Sequence, residues 1–156
     1  MQDAQDAKQA FVFQTCLLLV NHISNLVTHE HKTGIRLGYH SRIFDHILHP
    51  QRHFVYLGKS EKLVDGMPMH PEHVVPCSYM IYELEKLIKA GQYSNEDLAR
   101  ALQKNWKVVY ITKEEANYLD FNLKLKSTMP ENWDFMTDRP EERLELAGIK
   151  LILEPA

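Results

Sequence analysis

Two prolines frame a short segment that carries an acid beside an imidazole, and that frame limits what can be built there. Met67-Pro68-Met69-His70-Pro71-Glu72-His73-Val74-Val75-Pro76 sets Glu72 and His73 ahead of two valines, between Pro71 and Pro76. Each proline fixes φ and removes a backbone donor, so the segment reads as a sharply bounded strand with stiff ends. Downstream, Asn105–Thr112 crowds β-branched and aromatic residues behind an opening Asn, which reads as a second strand. Thr112 then caps a helix, with Glu115 completing a capping box and Glu114 in the favourable first turn. The order is strand, strand, helix.

Glu72-His73-Val74-Val75-Pro76 resembles the first strand of the HNH nucleases, the ββα-metal or His-Me finger class, in which an acid–His pair is followed by an apolar pair and proline. The resemblance implies a hairpin and a helix folded round one divalent metal, with His73 as general base and Glu72 as metal ligand. By similarity, Asn105 is the middle Asn that pins the loop so that the imidazole stays aimed. Asn117, on Lys113–Asp120, stands where the family places its last motif residue and supplies an amide oxygen to the metal. Mg²⁺ or Mn²⁺ suits such hard oxygen donors and is the implied cofactor, with Zn²⁺ the lesser candidate. The implied activity is endonucleolytic hydrolysis of DNA phosphodiester bonds, of the kind phage and mobile-element proteins use.

The residues themselves set a geometric condition on that site. Neighbours in a regular strand point to opposite faces, so Glu72 and His73 share a site only if Pro71 distorts the pleat. His70 and Glu72 share a face in any case. A rival assignment therefore makes His70 and Glu72 the ligands and leaves His73 packed or acting behind them. A neutral imidazole near pH 7 can take a proton from water, which contributes ~10²–10⁴-fold in general-base catalysis.

The rest of the chain is read from its periodicity. Met1–Lys8 lacks an apolar stripe and reads as a frayed lead-in, whereas Gln9–His29 has helical spacing and extra apolar residues, a long helix buried on more than one side. A polar loop containing His29 and His31 ends it at Gly34. Gly38–His49 reads as a short amphipathic helix, Phe54–Leu57 as a strand, and Gly58–Gly66 as a basic connection. Tyr79–Lys104 holds two helices, the first ended by Gly91 and the second capped by Ser94, so a helix pair interrupts the hairpin. Trp133 reads as a packing anchor, Pro140–Ala147 as a closing helix ended by Gly148, and Ile149–Leu153 as a terminal strand.

The expected fold class is α+β: a small ββα-metal core, its hairpin interrupted by a helix pair, dressed with N-terminal helices. With 156 residues, one domain is expected, mainly helical over 1–53, HNH-like over 54–126 and closed by 127–156. A net charge of −3 argues against a protein that coats nucleic acid indiscriminately but permits a local basic groove. Arg36, Arg42, Arg52, Lys59, Lys62, Lys113 and Lys126 are the cations placed to contact phosphates. The two cysteines are too few for a disulfide framework and fit a reducing compartment. Phe11–Val20 is shorter than the ~20 residues of a spanning helix and lacks a basic leader, so a cytoplasmic chain without a membrane partner is expected. DNA is the expected partner. The acidic balance and the lack of paired CxxC motifs also support a second reading, a non-catalytic module on an HNH-like scaffold that binds protein or nucleic acid, such as a defence or counter-defence inhibitor.

Overall fold

The computed structural model describes residues 1–38 and 40–155. Helix α1 spans Gln2–Thr33 and ends where Gly34 takes up a left-handed conformation and donates its N–H to the Glu30 carbonyl, 2.8 Å away. It begins well before the expected start, and the polar Met1–Lys8 segment is helical from Gln2. At 32 residues it is long and apolar enough to cross a membrane by length and composition, unlike the shorter run read from sequence. Here Val12, Cys16, Leu19, Val20 and Ile23 on one side of it are packed into the main core.

Two short helices follow, α2 (Ile43–Ile47) and α3 (Gln51–Val55), and the second runs straight into strand β1 (Tyr56–Ser60). Phe54 and Val55 are thus helical rather than extended. Val55 is sealed in the core, and Phe54 stacks on Phe11 of α1 at 5.5 Å, so tertiary contact overrides the β-propensity that marked them as strand. Strand β2 (His70–His73) runs through Pro71 rather than starting after it and stops before Val74 and Val75, so it is shifted toward the N-terminus of the strand expected between Pro71 and Pro76. Helices α4 (Cys77–Ala90) and α5 (Asn95–Asn105) then separate it from β3 (Val108–Ile111), as the spacing of Tyr79–Lys104 foretold. Ser94 accepts the Asp97 N–H, and Gly91 is left-handed. Asn105 and Trp106 belong to the end of α5, so the second strand starts three residues later than its composition suggested.

Helix α6 (Lys113–Asn117) carries the capping box in full. Glu115 N–H donates to Thr112 Oγ1 at 3.1 Å, and Thr112 N–H donates to Glu115 Oε2 at 2.9 Å. Beyond it Tyr118–Asn122 continues as a single π-helical segment. Helix α7 (Glu142–Leu146) and strand β4 (Leu151–Leu153) close the chain.

The strands form one mixed sheet in the order β2-β3-β1-β4, with β1 and β3 parallel and the other two pairs antiparallel. The α+β class is therefore realised. Pro71 stands on the outer edge of β2. Val74 N–H bonds to the Lys107 carbonyl at 2.9 Å, which turns residues 70, 72 and 74 toward β3 and residues 71 and 73 away from it. The missing proline donor thus costs no sheet hydrogen bond. On one face Val109 and Ile111 pack with Val74, Ala116, Leu119, Leu144 and Ile149. The larger core, with Trp106, Leu84, Leu98, Leu102 and Phe44, joins α1, α4 and α5 beyond the other face.

Candidate active site

The β2–β3 register decides how the acid and the imidazole are shared out. His70 pairs with Ile111 and Glu72 with Val109, so both side chains leave the sheet on the α6 and α7 face; His73 pairs with Val108 and leaves on the opposite face. Pro71 does not disturb the pleat enough to bring Glu72 and His73 to one side. His70 and Glu72 do share a face, and His70 Nε2 lies 3.3 Å from Glu72 Oε2.

Glu72 is claimed by Arg143, a residue of α7 that the sequence reading did not single out. Arg143 has no exposed surface. Its Nη2 donates to Glu72 Oε1 at 2.8 Å, its Nη1 to the His73 carbonyl at 3.0 Å, and its Nε to the Leu125 carbonyl at 2.8 Å. The His73 carbonyl is one that β2 turns away from β3, so Arg143 caps the sheet edge. A buried guanidinium costs several kcal/mol of lost hydration, roughly offset only when its donors and charge are all matched. Glu72 supplies the charge.

His73 is held by a different network. Trp106 Nε1 donates to Gln51 Oε1 at 2.8 Å, and the indole nitrogen can only donate, which fixes the Gln51 amide with its oxygen toward Trp106. The same oxygen lies 2.9 Å from His73 Nε2, so that nitrogen carries the proton. Gln51 Nε2 in turn donates to Asp45 Oδ1. His73 Nδ1 is then the unprotonated nitrogen, and it makes no hydrogen bond among the described residues. Burial lowers the pKa of the imidazole below its ordinary 6.5, outweighing the nearby Asp45 and Glu72 carboxylates, which push it up. The ring is accordingly neutral near pH 7. Asp45, Gln51 and Trp106 were not singled out from sequence, since nothing in their spacing marks them; only the fold brings them to His73.

Two clefts, of ≈ 450 Å³ and ≈ 410 Å³, share Asp45, Pro71, Glu72 and His73 as lining. Arg52 and Tyr110 line the first, Arg42 and Lys126 the second. The Arg52 guanidinium also lies 5.5 Å and 5.4 Å from the ring centres of Tyr56 and Tyr110, which hold it over the sheet. Three of the cations marked as phosphate contacts therefore meet beside His73. The others do not. Lys59 pairs with Glu154 at 3.6 Å, Lys62 lines a separate cleft with Thr112 and Tyr118, and Arg36 and Lys113 are exposed elsewhere.

Neither asparagine joins the cleft. Asn105 is fully buried at the end of α5 and donates to the Phe135 carbonyl at 2.8 Å, so it pins the 135 segment rather than the loop behind His73. Its Oδ1 is the one buried side-chain polar atom without a partner among the described residues. Asn117 is exposed on α6. His29 and His31 lie in the last turns of α1, not in a loop.

The donor set does not fit a divalent metal as arranged. Glu72 has one oxygen on Arg143 and the other beside His70, and among the described residues no three His, Cys, Asp or Glu side chains converge. Comparison with family models, with curated proteins and with solved structures finds no match to the chain.

Proposed function

We propose that the chain is an HNH-like hydrolase of phosphodiester bonds, with DNA as substrate and His73 as general base. The observation that carries this reading is the state of His73: neutral by burial, protonated on Nε2 by its bond to Gln51, unbonded at Nδ1 among the described residues, and part of the lining of two clefts that carry cations. An imidazole kept neutral and fixed in orientation suits proton abstraction at neutral pH. A water placed against a phosphate in the cleft gives its proton to Nδ1 as its oxygen bonds to phosphorus. The departing oxygen leaves with the bonding pair and is protonated by solvent. Arg42, Arg52 and Lys126 are the chain's own groups for the charge that builds on the phosphoryl oxygens.

A second reading, a non-catalytic binding module on the same scaffold, is favoured by the Glu72–Arg143 bond, which commits the acid of the motif to holding the fold. Nicking of supercoiled plasmid by wild type and His73→Ala, each in Mg²⁺, Mn²⁺ and EDTA, separates the two. The hydrolase reading expects nicking by wild type and a loss of ~10²-fold or more in the variant. If neither protein nicks in any condition, the binding module stands instead. Nicking that survives in EDTA places the chemistry on the protein's own groups, and nicking that requires a metal means that Glu72 leaves Arg143 when substrate binds.

A further inference from the structure

We propose that β4 is a self-association edge, through which two copies of the chain join their sheets antiparallel about Ile152. The two edges of the sheet are not alike. At β2 the outward groups are blunted, because Pro71 has no N–H and Arg143 takes the His73 carbonyl. At β4 they are not.

The direction of the free groups follows from the β1–β4 ladder. Glu61 N–H bonds to the Lys150 carbonyl at 2.9 Å and Glu154 N–H to the Leu57 carbonyl at 3.1 Å, so residues 150, 152 and 154 face β1. The N–H and C=O groups of Leu151 and Leu153 therefore point away from the sheet. The side chains around them are apolar and uncovered: Ile152 is 49% and Leu153 67% exposed. The strand is short, three residues, but its outward N–H and C=O groups are unpaired and its side chains uncovered, so a second strand of matching pattern can add to it.

The sequence names the strand that fits. Lys150-Leu151-Ile152-Leu153-Glu154 is self-complementary about its centre when paired with itself antiparallel. Leu151 then stands opposite Leu153 of the second copy, and these are the outward-facing positions that can exchange hydrogen bonds. Lys150 stands opposite Glu154 of the second copy, and the two-fold axis repeats that ion pair. The Lys150 side chain makes no hydrogen bond or ion pair among the described residues, so its charge is free for this contact. Glu154 already accepts from Tyr56 Oη at 2.6 Å and lies 3.6 Å from Lys59 Nζ, which holds its carboxylate in place at the sheet. Centring the pair on Leu153 instead would set Pro155, which lacks an N–H, opposite Leu151 and would break both ion pairs. One register is thus preferred. On the α7 face, the paired leucines would lie over a cleft of ≈ 380 Å³ lined by Leu144, Ile149, Leu151 and Leu153.

Sedimentation velocity over a concentration series tests this. The contact is small, so a reversible dimer with Kd on the order of 10–100 μM is expected. Lys150→Glu sets Glu against Glu at both ends and should weaken the dimer by about tenfold or more, and Glu154→Lys should do the same with two lysines. Mixed in equal amounts, the two variants bring opposite charges together again and should regain the dimer. The Lys150 side chain is exposed and unbonded among the described residues, so Lys150→Glu keeps the fold, and circular dichroism checks Glu154→Lys. A wild type that stays monomeric up to about 1 mM, a dimer indifferent to Lys150→Glu, or a mixture that fails to associate would each overturn the proposal.

Discussion

At the level of single residues, Arg143 decides what Glu72 can be. With no exposed surface and its donors on Glu72, His73 and Leu125, the guanidinium depends on one carboxylate for charge balance. Glu72→Ala should therefore cost about 3 kcal/mol of stability, the usual loss when a buried pair is broken from one side. Glu72→Gln should cost less, because the amide oxygen still accepts from Nη2. Urea unfolding of both variants measures this; a loss under about 0.5 kcal/mol for Glu72→Ala would free the carboxylate for another role. None of this was legible in the sequence. Arg143 sits among Glu141, Glu142 and Glu145, the composition of a solvated helix face, and Glu72 and His73, two of its partners, lie about seventy positions upstream. Glu72 and His73 were legible as a pair, and the period of a strand supplied their placement on opposite faces as the rival to the shared site, the arrangement the register shows.

Among the elements, those with local causes were read closely. The Thr112 capping box, the Ser94 cap, and the left-handed Gly34 and Gly91 each arise from a few neighbouring residues. The strand boundaries that were missed have distant causes. Phe54 is held helical by Phe11, and Asn105 is tied by its amide to Phe135. Gly58 shows the same dependence. A Cβ built there would fall on the backbone of Ile152 and Leu153, so only glycine lets β4 close on β1. Gly58→Ala should cost about 2–3 kcal/mol, the upper range for overpacking against backbone that cannot yield. Hydrogen exchange locates the damage. Fast exchange confined to the Ile152 and Glu154 amides, with the α1 amides still protected, is expected, and unchanged protection at Ile152 would contradict the close approach.

Across the molecule, His73 sits where the two cores meet. Its strand is capped from one face by Arg143 of the smaller core, and its ring is held on the other by Gln51 and Trp106 of the larger one. Protonation there therefore acts on the whole fold. Its pKa is lowered from 6.5 in the folded chain, chiefly by burial, so the unfolded chain binds the proton more readily. The stability that goes with the neutral ring is complete above the unfolded value, declines as pH falls below 6.5, and is lost once the folded pKa has been passed. Nicking should fall over the same lower range, because the base must be neutral to accept a proton. His73→Gln has no such titration. Urea midpoints followed from about pH 8 to about pH 5 should drop more steeply for wild type than for His73→Gln, with the curves diverging only below 6.5. Parallel curves would mean that the imidazole titrates alike in both states, and the oriented, neutral base would lose its physical support.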